Sequence, residues 1–106
     1  MTHDEAAAER LKALGHPVRI AIVRALAQES RCCCADVCNR LPLAQSTVSQ
    51  HLKVLKDAGL ITFQRSGVRS SYVLNADAFA ALRSDLEEIA RLTGVLPGGA
   101  EADRST

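Results

Sequence analysis

At 106 residues the chain has room for one domain with a modest core, and a protein of this size commonly gains stability from an oligomeric partner. Its 47% hydrophobic and 24% charged residues and formal net charge of +1 are those of ordinary soluble globular material and exclude disordered and fibrous classes. No run approaches the roughly 18 apolar residues that span a bilayer. The start carries Asp4 and Glu5 instead of a basic, apolar leader, so a cytoplasmic protein with no membrane partner is expected.

Charge is unevenly spread. Residues 1–41 hold six Lys/Arg against five Asp/Glu, residues 42–74 four against one, and residues 75–106 three against six. A basic middle and an acidic end suit a polyanion that touches the middle of the chain, although solvated helix faces produce similar counts.

The first predicted helix spans residues 4–14, with acids in its first turn, apolar Ala7, Ala8, Leu11 and Leu14, and Gly15 at its end. Pro17 then suits a first helical position, and Val18, Ile22, Val23 and Leu26 form the apolar stripe of a second helix running to about Gln28. In a third predicted helix, Cys34, Val37, Cys38 and Leu41 share one face until Pro42 stops it. A fourth follows Leu43 and Ala44, with Val48, Leu52 and Leu55 inward and Ser46, Thr47, Ser49, Gln50, Lys53 and Lys56 outward, closed by Gly59.

From Leu60 to Leu74 the period changes to two. Ile61 and Phe63 alternate with Thr62 and Gln64, a turn is expected at Ser66–Gly67, and Val68, Ser70, Tyr72 and Leu74 alternate back, with Arg65 and Arg69 near the tip. Beyond Asp77, Phe79, Leu82, Leu86, Ile89 and Thr93 recur at three and four, the spacing of a helix that packs on another helix. Residues 94–106 lack periodicity and read as a flexible C-terminal tail, leaving residues 1–93 as the folded unit.

The expected class is mainly α with a β-hairpin, in the order α-α-α-α-β-β-α: a winged helix-turn-helix whose fourth helix enters the major groove. Gln45, Ser46, Thr47, Ser49 and Gln50 suit base edges or phosphates, Lys53 suits backbone charge, Arg65 and Arg69 suit phosphates or the minor groove, and His51 lies within the same helix. Of the other histidines, His16 is expected to cap the second helix and His3 to lie in a frayed terminus.

All four cysteines, Cys32, Cys33, Cys34 and Cys38, lie within seven residues directly before that helix. Crowded cysteines close no useful loops, and in a reducing compartment the cluster reads as metal, metalloid or redox chemistry. Trivalent arsenic or antimony is soft, and three thiolates complete its trigonal pyramid, whereas Cd(II) or Zn(II) takes four donors that three consecutive residues and Cys38 cannot readily aim at one ion. Filling a core stripe is the plainer role for Cys34 taken alone.

Leu-Gly-His-Pro-Val-Arg at 14–19, Ala-Asp-Val at 35–37, Gln-Ser-Thr-Val-Ser-Gln-His-Leu at 45–52, Leu-Lys-Asp-Ala-Gly-Leu-Ile at 55–61 and Tyr-Val-Leu-Asn at 72–75 carry a resemblance over residues 8–92. The chain resembles the ArsR/SmtB repressors. The resemblance implies a homodimer on double-stranded operator DNA whose affinity drops when a metal or metalloid binds. Arsenic-sensing members carry a Cys-Val-Cys-Asp-Leu-Cys motif. Setting Asp36 on the motif aspartate puts Cys33 on its first cysteine, Cys38 on its third and Ala35 on its second, with Cys32 or Cys34 left to supply the missing thiolate. Zinc-sensing relatives use His, Asp and Glu on the last helix, which here holds Asp85, Glu87 and Glu88 and no histidine, so that site is expected to be absent. Relatives often carry a serine cap where Ala44 stands, a loss of about 1 kcal/mol unless another group caps the helix.

The expected function is therefore an operator-releasing repressor induced by As(III) or Sb(III). Its alternatives are a Cd(II)-, Zn(II)- or redox-responsive repressor of the same fold and a small thiol metal-sequestering protein. No Cys-x-x-Cys motif, nucleotide loop or acid–base pair points to an enzyme.

Overall fold

The first helix begins where the sequence supplies its own cap. In the computed structural model, which describes residues 2–28 and 41–94, the Thr2 hydroxyl accepts from the Glu5 N–H at 3.1 Å and the Glu5 carboxylate accepts from the Thr2 N–H at 2.8 Å. This reciprocal box satisfies two donors that a helix start otherwise leaves open. Helix α1 is thus His3–Leu14, one residue longer than its apolar pattern predicts, and His3 belongs to its first turn instead of a frayed end.

Helix α2, Pro17–Gln28, starts on the proline as expected. Its first turn is capped by an imidazole: His16 Nδ1 accepts from the Val18 N–H at 3.1 Å. Ile22 and Leu26 of its stripe are buried, with Val18 and Val23 half-buried beside them. The predicted thiol-bearing helix up to residue 40, with all four cysteines, lies outside the described residues, and its last expected residue, Leu41, is in a bend.

Helix α3, Gln45–Asp57, follows an uncapped Ala44. Its Val48, Leu52 and Leu55 are fully buried. At its end Gly59 adopts φ +82, the Leu60 N–H reaches the Leu55 carbonyl at 3.0 Å, and the Gly59 N–H reaches the Lys56 carbonyl at 2.9 Å. These two bonds, with Leu55 and Leu60 both buried, form a Schellman stop that needs the left-handed conformation glycine adopts cheaply.

Strands β1, Ile61–Ser66, and β2, Arg69–Leu74, pair antiparallel from Ile61 opposite Leu74 to Ser66 opposite Arg69. The expected turn at Ser66–Gly67 sits one residue later, at Gly67–Val68. Gly67 has φ +62 and Val68 does not take positive φ, the pattern of a two-residue II′ turn, which matches strand twist and leaves Ser66 free to pair. Helix α4, Ala76–Leu92, follows at once, capped by Asn75.

The core joins α2, α3 and the root of the hairpin through Ile22, Leu26, Val48, Leu52, Leu55, Leu60 and Ile61, with Ala13 and Ala78 at its edge. Truncating one of its fully buried leucines to alanine would cost about 2–5 kcal/mol. The stripe predicted on the last helix divides: Leu82 is buried and Phe79 half-buried against the core, while Leu86 and Ile89 are 47% and 51% exposed. Among the described residues no helix is long and apolar enough to cross a membrane.

Candidate nucleic-acid interface

Three inward residues on α3 fix which way the rest of that helix faces. With Val48, Leu52 and Leu55 in the core, Gln45, Ser46, Ser49, Gln50, Lys53 and Lys56 are exposed and Thr47 is half-buried. The helix therefore carries a continuous row of short hydrogen-bonding side chains backed by a rigid apolar spine. Such side chains can donate to and accept from base edges and phosphates once the helix lies in a groove.

The wing supplies Arg65, exposed on β1, and Arg69, whose backbone opens β2 opposite Ser66. At the tip Val68 is fully exposed, and behind it Phe63 and Tyr72 pair across the strands with ring centroids 5.0 Å apart. The aromatic pair stiffens the hairpin that carries the arginine.

Lys53 and His51, both expected contact residues, have partners within the chain. Lys53 Nζ is 2.9 Å from the Asp57 carboxylate one turn on; that hydrogen bond and charge raise the lysine pKa and lower the aspartate's. Both groups are exposed, and a pair of this kind contributes little to stability, so a phosphate can replace the carboxylate at small cost. His51 is half-buried and turned toward α2: the Arg19 Nε–H donates to its Nδ1 at 3.2 Å, and its ring lies 4.6 Å from that of His16. Burial, then His16, then Arg19, hold the His51 pKa below its ordinary value.

Arg19, His16 and Asp57 were not singled out for this site by their residue patterns. The Lys53–Asp57 pair has a local signal, opposite charges four apart on one helix. The Arg19–His51 bond spans 32 residues and has none.

A second long-range contact joins α1 to α4. His3 Nε2 lies 2.6 Å from the Asp85 carboxylate, which is 7% exposed and whose Oδ2 has no hydrogen-bond partner among the described residues. The last helix, without a histidine of its own, thus meets one from α1. Among the described residues no three His, Cys, Asp or Glu side chains form a metal-holding group. The cysteines stand outside that set, so Cys32, Cys33, Cys34 and Cys38 rest on the chemistry of their donor atoms: soft thiolates in a number that suits a soft ion.

An amphipathic helix with an exposed polar face, followed by a basic hairpin and a long helix, is the architecture of a winged helix-turn-helix protein. Residues 16–62 match the arsR family of bacterial regulatory proteins. Over 70 residues the chain is 50% identical to the HTH-type transcriptional repressor SmtB of Mycobacterium tuberculosis, a match covering 66% of this chain and 51% of that protein. It thus spans about half the length of that relative. It is 36% identical over 77 residues to the arsenical resistance operon repressor of Bacillus subtilis, covering 73% of each. Among solved structures it resembles the homodimeric winged helix-turn-helix DNA-binding domain of a possible ArsR-family transcriptional regulator from Mycobacterium bovis. That likeness has a TM-score of 0.65 at 26% identity, over 83% of this chain and 82% of that one. The chain belongs to the arsR family of regulatory proteins, and its named relatives regulate transcription; they are not enzymes.

Proposed function

We propose that the protein is a homodimeric transcriptional repressor that binds operator DNA through α3 and the wing and releases it when As(III) or Sb(III) is captured by thiolates among Cys32, Cys33, Cys34 and Cys38. The observation that carries the DNA half is the exposed row Gln45, Ser46, Ser49 and Gln50 on a helix whose other face is fully buried. Leu86, Ile89 and Leu92 line an exposed apolar edge of α4 and support pairing of two copies through that helix. A symmetric dimer would place its recognition helices in successive major grooves, about 10 base pairs apart or a multiple of that.

The inducer half follows from position and donor chemistry. The thiols stand seven residues or more before α3 in sequence, close enough for their ligation to reshape the approach to the recognition helix. Coupling of this sort is typically about 1–3 kcal/mol, a five- to 150-fold loss of affinity.

Fluorescence anisotropy of the reduced protein on its own upstream DNA, titrated at fixed salt with arsenite, antimonite, cadmium and zinc, tests the whole reading. Selective release by the trivalent metalloids, abolished when Cys33 and Cys38 are both replaced by serine, is the expected result. Release by Cd(II) or Zn(II) alone would reassign the inducer, a response to arsenite that survives in the double variant would overturn the thiol assignment, and absence of DNA binding would turn the reading toward sequestration.

A further inference from the structure

We infer that Arg19 is a positioning residue for the recognition helix: its guanidinium ties the end of α1 to His51 of α3, and protonation of His51 opens this tie, so operator binding weakens in acid. The inference rests on the reading of α3 as the recognition helix.

One planar fork makes all the contacts. Arg19 Nη1 donates to the carbonyls of Lys12 at 3.4 Å and Ala13 at 3.1 Å, while its Nε–H donates to His51 Nδ1 at 3.2 Å. The two carbonyls belong to the last turn of α1, where a helix runs out of its own donors, and that of Lys12 also accepts from the Gly15 N–H at 3.3 Å. Because the guanidinium is rigid, the end of α1, the start of α2 and the middle of α3 are set relative to one another by a single group.

That bond fixes a protonation state. To accept from Arg19, His51 Nδ1 must keep its lone pair, so the ring is neutral with its hydrogen on Nε2. An imidazolium carries N–H on both nitrogens. It could no longer accept from the arginine and would set a second positive charge within hydrogen-bond distance of the first.

The surroundings reinforce the arrangement. On the α2 side stand Arg19 itself and His16, whose Nδ1 is occupied by the Val18 N–H. From α1 come the two carbonyls, already bonded by Arg19, and Glu9, Arg10 and Lys12, which line a cavity beside Arg19 together with Asp57 of α3. On α3, Lys53 is held by Asp57. The groups that act on His51, His16 and Arg19, are both basic and both oppose its protonation, in addition to burial. The tied conformation therefore binds the proton less well than a released one. It is intact above the ordinary histidine pKa of about 6.5 and loosens as pH falls below it.

The test uses two readouts on the full chain. Long-range ¹H–¹⁵N spectra of the imidazoles should show His51 as the Nε2–H tautomer, titrating below about 6.5. In Arg19→Gln the tautomer preference should relax and the pKa should rise toward the ordinary value. Anisotropy on the upstream duplex at fixed salt, from about pH 7.5 to about pH 5.5, should show an affinity loss of about fivefold or more for the wild type. His51→Asn puts a non-titrating acceptor near the place of Nδ1, and its pH profile should be flat whatever its absolute affinity. An Nδ1–H tautomer, a His51 pKa at or above the ordinary value, or a His51→Asn profile as steep as wild type would each overturn the inference. A chain that binds no duplex at any pH overturns the functional reading instead, and the imidazole spectra still decide whether the tie exists.

Discussion

The side-chain amide of Asn75 donates to the Gly59 carbonyl at 2.9 Å, bonding the residue that ends the wing to the turn that precedes it. The same residue's N–H reaches the Leu60 carbonyl at 2.9 Å, and its Oδ1 accepts from the N–H groups of Asp77 and Ala78 at the start of α4. One asparagine thus closes the hairpin at its root and orients the helix that follows.

Asn75→Ala should cost about 1–3 kcal/mol, the sum of a lost N-cap and a lost hydrogen bond that leaves the Gly59 carbonyl without its partner. Asn75→Asp keeps the capping acceptor and loses only the donor, so it should fall between wild type and alanine in urea unfolding. Equal losses for the two variants would mean that the cap contributes nothing.

Ala44 has the extended backbone of a cap residue, φ −66 and ψ 147, and makes no side-chain cap bond. Ala44→Ser should stabilise the protein by about 0.5–1 kcal/mol by giving the open end of α3 an acceptor. A rise of a few degrees in the unfolding midpoint is the expected reading; no rise would show that another group already satisfies those donors.

The hydrogen bond from His3 to Asp85, and then the carboxylate's charge, raise the His3 pKa. A raised histidine pKa contributes stability that is complete below about 6.5 and is lost as pH rises through the folded-state value. An NMR titration should find His3 above the ordinary value in the wild type and close to it in Asp85→Asn. Hydrogen exchange in α1 should quicken, relative to the rest of the chain, as pH rises through that transition. A wild-type His3 that titrates at or below the ordinary value would remove the basis for this link.

Asp57 places a negative charge beside Lys53 on the proposed DNA-facing helix. Asp57→Asn should strengthen duplex binding roughly two- to fivefold and steepen its salt dependence by about one counterion, with little effect on unfolding because the pair is exposed. Anisotropy at two salt concentrations measures both; weaker binding would mean that Asp57 positions Lys53 instead of competing with phosphate.

The described helices and the hairpin were legible because each is written in a local period. The stripe Val48, Leu52, Leu55 shows α3 and its exposed face together, since burying one side of a helix leaves the other in water. Gly59 and Gly67 mark the stop and the turn because each needs positive φ, although the turn lay one residue later than expected, where strand twist selects glycine at the first central position. The last helix was predicted as one apolar seam. Its division into buried Leu82 and exposed Leu86 and Ile89 depends on where the other elements end, which no period records.

By itself, then, the amino-acid sequence determined the described elements, the orientation of α3, the absence of a capping side chain at Ala44 and which side chains are proposed to meet DNA or a soft ion, because these depend on neighbours within a few residues. Only the tertiary structure decided which groups meet: Arg19 with His51, His3 with Asp85, Asn75 with Gly59. Those contacts join residues 16 to 82 positions apart, where pairing is set by the packing of the core and by no local pattern in the chain.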